Sequence, residues 1–139
     1  MKTCLDDVDL SMDCPCGQPS SLLNCCGAII LKEATAATAE ALMRSRYTAY
    51  CLSAADYLLA TWHPSTRPQS LDFDPAHRWL GLRIIACEKG LAVDASGQVE
   101  FLARYKINGR AYRLQEISRF VRLIDDWVYL DGEVRANPT

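Results

Sequence analysis

The sequence predicts an α+β fold, with about three helices near the N-terminus, a curved antiparallel sheet after them, and a small cysteine-rich knuckle ahead of both. Three observations predict it. Four of the seven cysteines fall within residues 14–26, ahead of any stretch with the periodicity of a packed element. From residue 38 apolar side chains recur at helical spacing. From residue 82 the pattern changes to strands separated by turn signals, the strongest being Asn108-Gly109, and runs of helices followed by runs of strands are the mark of an α+β domain.

Residues 28–37 read as a connector of small side chains. Thr38 with Glu40 behind it is a helix start, and the helix should run to Cys51, with Ala39, Leu42, Met43, Arg46 and Tyr50 on one stripe and Arg44, Ser45 and Thr48 away from it. Ser53-Ala54-Ala55-Asp56 has the shape of a capping box and opens a short helix that His63-Pro64 stops. Residues 65–74 form an ordered loop, and Asp74-Pro75 looks like the cap and first residue of a third, very short helix reaching Leu80, with His77 at the surface. Strands are expected over 82–91, 98–107, 110–124 and 127–131, with turns at 94–97, Asn108-Gly109 and Asp125-Asp126.

The central hairpin fixes a register. With Asn108 and Gly109 as the loop residues, Ile107 faces Arg110, Tyr105 faces Tyr112, Ala103 faces Leu114, Phe101 faces Glu116 and Val99 faces Ser118. The alternate face carries Glu100, Arg104, Lys106, Arg113, Gln115 and Arg119 and should look outward. The inner face is then apolar except for Glu116 and Ser118, and counting on through Asp125-Asp126 places Asp131 opposite Phe120 on that same face. A buried carboxylate is costly without a partner. Arg46 is the cation on the facing helix stripe, so an Arg46–Glu116 pair is expected between helix and sheet, unless the Arg46 head reaches water along its own stem.

Composition narrows the function classes. The 139 residues suffice for one domain with a genuine core, and a formal net charge of -2 argues against broad electrostatic capture of nucleic acid or an anionic membrane. No apolar run approaches the ~18 residues of a bilayer span. The first thirteen residues are acidic, the reverse of a signal peptide, and with an odd number of cysteines this points to the cytoplasm and to metal or free thiols.

Cys14, Cys16, Cys25 and Cys26 form a C-x-C-x8-C-C pattern. Four thiolates are what a closed zinc site needs, and Pro15, Gly17, Pro19 and Gly27 suit the sharp bends between ligands. Two disulfides or four unpaired thiols are the alternatives; adjacent Cys25 and Cys26 pair poorly with each other. Cys51 and Cys87 read as core thiols.

The stretch CPCGQPSSLLNCCG resembles the SEC-C zinc motif, with all four ligand positions matched and the usual basic run between them replaced by Ser21-Leu22-Leu23. Together with TAEALMRSRYTAYCL, DYLLATWHPSTRP, WLGLRI, VEFLARY, EISRFVR and WVYLDG it resembles the bacterial YchJ-type family. The resemblance implies a structural Zn²⁺ knuckle joined to a cone-shaped domain like that of nuclear transport factor two, of unknown function. It gives three expected units: a flexible tail over 1–13, the metal motif over 14–27, and the α+β domain over 28–139, whose separate core should survive loss of the metal.

Cone-shaped domains often hold a hollow between helices and sheet. Its candidate lining is Arg46, Tyr50, His63, Glu116, Ser118 and Asp131. A histidine beside a carboxylate is the minimum for proton transfer, although His63 could equally close the end of its helix. Two function classes follow. The first is a non-catalytic binding or adaptor protein, docking a protein partner through the knuckle near Leu22 and Leu23 or holding a small molecule. The second is a small-molecule isomerase or hydrolase working in the hollow, an idea that rests on fold analogy.

Overall fold

The structure is a computed structural model that describes residues 8–135. Three helices, α1 (Cys26–Ile30), α2 (Ala39–Cys51) and α3 (Ala55–Ala60), precede a four-stranded antiparallel sheet, β1 (His77–Lys89), β2 (Ser96–Ile107), β3 (Arg110–Leu123) and β4 (Asp126–Arg135). The strands lie in sequence order as a meander, and the α+β class expected from the sequence is the one observed.

α2 begins as its sequence dictates: Thr38 is extended and its hydroxyl accepts the Ala41 N–H at 3.1 Å. It is buried on more than one stripe. Leu42, Met43 and Tyr47 join Val99, Phe101, Phe120 and Trp127 in the helix–sheet core. Ala49 joins Cys14, Cys16, Leu22, Cys26 and Leu58 in a second apolar cluster on the other side. Ser45 and Thr48, expected on the open face, are therefore fully buried. Ser45 bonds the Tyr57 hydroxyl at 2.6 Å, and helical periodicity alone does not reveal a second partner surface.

The first helix of the chain differs from expectation. Part of the connector over 28–37 is helical, because α1 starts at Cys26 and runs directly out of the cysteine turn, so a boundary between 27 and 28 falls inside a helix. Gly27 has no side chain because a Cβ there would strike the Leu22 carbonyl. Residues 8–13 run alongside the turn, with Leu10 and Met12 carbonyls accepting the Leu23 and Leu22 N–H groups; the first seven residues of the expected tail lie outside the described residues, as do 136–139.

The helix expected after Asp74-Pro75 is absent. Asp74 does cap, its Oδ1 accepting the Ala76 N–H at 2.9 Å, but the turn stops there. His77, Arg78 and Trp79 pair instead with Ile107, Lys106 and Tyr105, so β1 starts five residues earlier than its apolar pattern suggested. His77 is thus no surface helix residue: its ring stacks on Tyr105, 4.4 Å between centroids, and lies against Trp79. The capping box is displaced too, since Ser53 takes the left-handed conformation, φ 56°, and Ala54 is the cap of α3. Cys87, expected in the core, is exposed on the edge strand β1, while Cys51 is half-buried.

All five expected pairs of the β2–β3 hairpin are present, from Ile107–Arg110 to Val99–Ser118. Asn108 and Gly109 both have positive φ, 52° and 82°, as a type I′ turn requires. The β3–β4 register is different. Its loop residues are Ile124 and Asp125, and an irregularity follows between Arg119 and Phe120, so Phe120 faces Tyr129 and Arg119 faces Asp131. Moving the turn preserves the parity of the strand; the extra residue at the bulge reverses it and carries Asp131 to the outer face.

Candidate functional site

The cysteine cluster is built by a tight reversal. Asp13 bridges Ser21, the Cys14 N–H bonds the Ser20 carbonyl at 2.9 Å, and Gly17 turns at φ 93°. α1 then presents Cys26 from its first turn. The Sγ atoms of Cys14, Cys16, Cys25 and Cys26 lie within 4.8 Å of one another, with Cys16 and Cys25 3.6 Å apart. A tetrahedron with metal–sulfur bonds of about 2.3 Å has edges of about 3.8 Å, so the four sulfurs fit around one ion. Cys25 is the most exposed of the four; the other three are buried.

The thiols respond to this crowding. Hydrogen bonds from Cys16 and Cys26 hold Cys14 far below the ordinary thiol range. Burial first, then its sulfur neighbours, push Cys25 up to about 12, and sharing with Cys14 and Cys16 drives Cys26 upward. Four thiolates this close repel one another, and full deprotonation calls for a cation at their centre. The surroundings suit that charge. The Thr48 hydroxyl lies 3.7 Å from the Cys14 sulfur, and Arg44, bonded to Glu40, donates to the Cys16 carbonyl at 2.9 Å. The cysteine spacing carries no signal for Arg44 and Thr48, which belong to the next helix. Leu22 is wholly buried under the cluster, and Leu23 is 42% exposed beside it.

A cavity of about 280 Å³ lies between α2, the segment just after α3 and the inner face of the sheet. It brings together four of the six residues expected there: Arg46, Tyr50, Glu116 and Ser118, with Trp62, Trp79 and Tyr129 beside them. The anticipated Arg46–Glu116 ion pair is not formed. Arg46 is 4% exposed, and its Nη1 donates to the Leu58 carbonyl at 2.8 Å and to the Thr61 hydroxyl at 2.7 Å, at the C-terminal end of α3. Its guanidinium lies over the rings of Trp62 and Tyr129, 4.9 and 4.8 Å from their centroids. A backbone carbonyl, a hydroxyl and two ring faces have taken the place of the carboxylate. Burial lowers the Arg46 pKa, against the pull of Tyr50, Tyr129, Tyr57 and Glu116.

This cage is assembled by a junction that helical and strand periodicity do not reveal. The chain leaving α3 pairs with β4: the Tyr129 N–H bonds the Thr61 carbonyl and the His63 N–H the Tyr129 carbonyl, each at 2.8 Å. That sets Trp62 edge-on to Tyr129, 5.1 Å between centroids. Glu116 accepts from the Ser118 hydroxyl at 2.6 Å, and its carboxylate crosses Gly132, where a Cβ would collide with it.

His63 and Asp131 do not line the cavity. The His63 Nδ1 receives the Ser65 N–H at 3.0 Å and sits 2.7 Å from the Ser65 hydroxyl, so the ring closes the turn after α3. Asp131 pairs with Arg119 at 2.6 Å on the outer face, with both side chains about two-fifths exposed. Among the described residues, no helix is long and apolar enough to cross a membrane.

Residues 38–132 match the family model described as the middle NTF2-like domain of YchJ. A UPF0225 protein of Chromobacterium violaceum is 51% identical over 125 residues, covering 87% of this chain and 92% of its own. One from Streptomyces coelicolor is 51% identical over 120 residues, 86% of this chain and 94% of its own. The solution structure of a SEC-C motif containing protein from Rhodopseudomonas palustris is similar with a TM-score of 0.78 at 32% identity, covering 90% of this chain and 100% of that one. The crystal structure of another, from Psychrobacter arcticus, gives 0.72 at 27% identity over 94% of this chain and 87% of that one. With the family model matched over residues 38–132 and relatives half identical over nearly all of their length, this chain belongs to the YchJ-type UPF0225 family.

Proposed function

We propose that this protein binds one structural Zn²⁺ through Cys14, Cys16, Cys25 and Cys26, and that its α+β unit serves as a non-catalytic binding module whose ligand enters the cavity between helices and sheet. Zinc is favoured by the all-thiolate donor set and by the near-complete enclosure of the cluster, which leaves no open position of the kind a catalytic metal keeps. The observation that carries the binding reading is the cavity lining. Arg46, Tyr50, Trp62 and Trp79 occupy it, whereas His63 and Asp131 are engaged elsewhere, so a histidine and an acid do not converge as acid–base chemistry needs. A protein partner on the metal turn has little to grip, since Leu22 is buried and Leu23 alone of the pair stays outside.

Two measurements on the purified full chain test this. Elemental analysis should find one zinc per chain, lost in the Cys25→Ser, Cys26→Ser variant; a metal-free chain that folds normally would refute the first half. A small-fragment screen by ligand-observed NMR should find fragments that bind reversibly and are recovered unaltered. Conversion of a bound fragment, abolished by Glu116→Gln, would replace the binding reading with an enzymatic one.

A further inference from the structure

The cavity contains a buried guanidinium, Arg46, that forms no close ion pair among the described residues. Arg46 lines it, is 4% exposed, and donates through Nη1 to the Leu58 carbonyl and the Thr61 hydroxyl, with the Tyr50 hydroxyl as a further polar neighbour. Among the described residues no carboxylate oxygen lies within 4.0 Å of its guanidinium nitrogens. A buried cation without a counter-charge is costly, and the faces of the two adjacent rings offset only part of that. Trp62, which stacks on Arg46, adds a second unmet demand. Its Nε1 is buried and has no hydrogen-bond partner, one of two such side-chain atoms among the described residues, although a buried indole N–H ordinarily finds one. One wall of the cavity therefore carries an indole N–H without an acceptor beside a guanidinium that has neutral acceptors but no close carboxylate.

The other walls say what the rest of a ligand should be. Met43, Phe101, Ala103 and Leu114 are apolar, and Tyr47 and Trp79 add ring surface. The Glu116 carboxylate, held by Ser118, supplies the remaining charge. A second anionic group on the ligand would have to lie against it, whereas a hydroxyl or ammonium donor would be accepted. The volume of about 280 Å³ equals that of roughly nine liquid waters at about 30 Å³ each, enough for a molecule the size of benzoate.

Resting on the binding-module reading above, we infer that the cavity is a site for a small organic monocarboxylate with an apolar or aromatic body, its carboxylate taken by Arg46 and the Trp62 indole N–H, and that Glu116 selects against dicarboxylates. A carboxylate is the group that answers both donors at once, since charge-assisted hydrogen bonds to guanidinium are about twice as strong as neutral ones.

The test is titration of the zinc-loaded full chain with benzoate, benzyl alcohol, benzylamine and terephthalate, read by calorimetry and by the indole N–H resonance of Trp62. Benzoate should bind at least tenfold more tightly than benzyl alcohol or terephthalate, with the Trp62 resonance moving. Glu116→Gln should narrow the terephthalate gap at least threefold. Trp62→Phe, which keeps a ring against Arg46 while removing the N–H, should weaken benzoate severalfold and leave benzyl alcohol unchanged. Arg46→Lys should weaken benzoate about tenfold, and where that variant unfolds the Trp62 comparison decides. Benzyl alcohol or benzylamine binding as tightly as benzoate would overturn the carboxylate assignment and leave the binding module standing. No shift at any cavity resonance with any of the four would overturn both.

Discussion

Ile124 is the first loop residue between β3 and β4, with φ 62° and its side chain 92% exposed. The left-handed region costs an L-residue about 1–2 kcal/mol, and a β-branched side chain fits it worse than asparagine does. Nothing that the exposed isoleucine packs against repays this, so Ile124→Asn should raise the melting temperature by a few degrees, consistent with ~0.5–1 kcal/mol for a 139-residue chain. An unchanged or lower melting point in a circular dichroism scan would mean that the loop is wrongly placed. Asp131 makes the opposite case. Its short bond to Arg119 is half in solvent, and such pairs contribute ~0–1 kcal/mol, so Asp131→Ala should cost less than about 1 kcal/mol in urea unfolding and leave fragment binding unchanged. A loss well above that, or weakened binding, would put Asp131 back on the inner face.

At the scale of elements, α2 depends on its cap. Thr38→Ala should destabilise by about 1 kcal/mol, measured as a shift in the urea midpoint at constant slope; no shift would show that packing alone holds the first turn. That cap, the Asn108-Gly109 turn and the whole β2–β3 register could be read in advance because each depends on local chemistry, an extended hydroxyl residue before a helix or two residues that tolerate positive φ. Where distant segments decide, local chemistry misleads. Asp74 caps as its sequence suggests, yet pairing with β2 makes His77 a strand residue. Arg46 was correctly placed against the sheet, but the carbonyl end of α3 competes for its guanidinium, and the α3–β4 junction at Thr61 and Tyr129 that brings in Trp62 leaves no local trace. Asp131 was lost to a single bulge, which strand periodicity does not record. The four cysteines were the most legible feature, because ligand type and spacing are themselves the signal.

The whole molecule is organised around α2, which has the helix–sheet core on one side and the cysteine cluster with α1 and α3 on the other. Thr48 and Arg44 reach the cluster from the same helix on which Arg46 and Tyr50 line the cavity. Metal and fold should therefore be lost together, not as a knuckle detaching from an intact domain. Coordination energy that is absent from the unfolded chain adds directly to stability, and loss of even ~3 kcal/mol at this chain length lowers the melting temperature by about 10 °C. Acidification should act in the same direction as a chelator, because the ligands must be thiolates and protons compete with the metal as pH falls. The most direct measurement is a thermal unfolding curve of the purified full chain, with zinc quantified beforehand, recorded with and without a strong chelator. The account predicts one zinc per chain, a single cooperative transition, and a drop of about 10 °C or more on chelation that added zinc reverses; a chelated protein melting at the same temperature as the untreated one would contradict it.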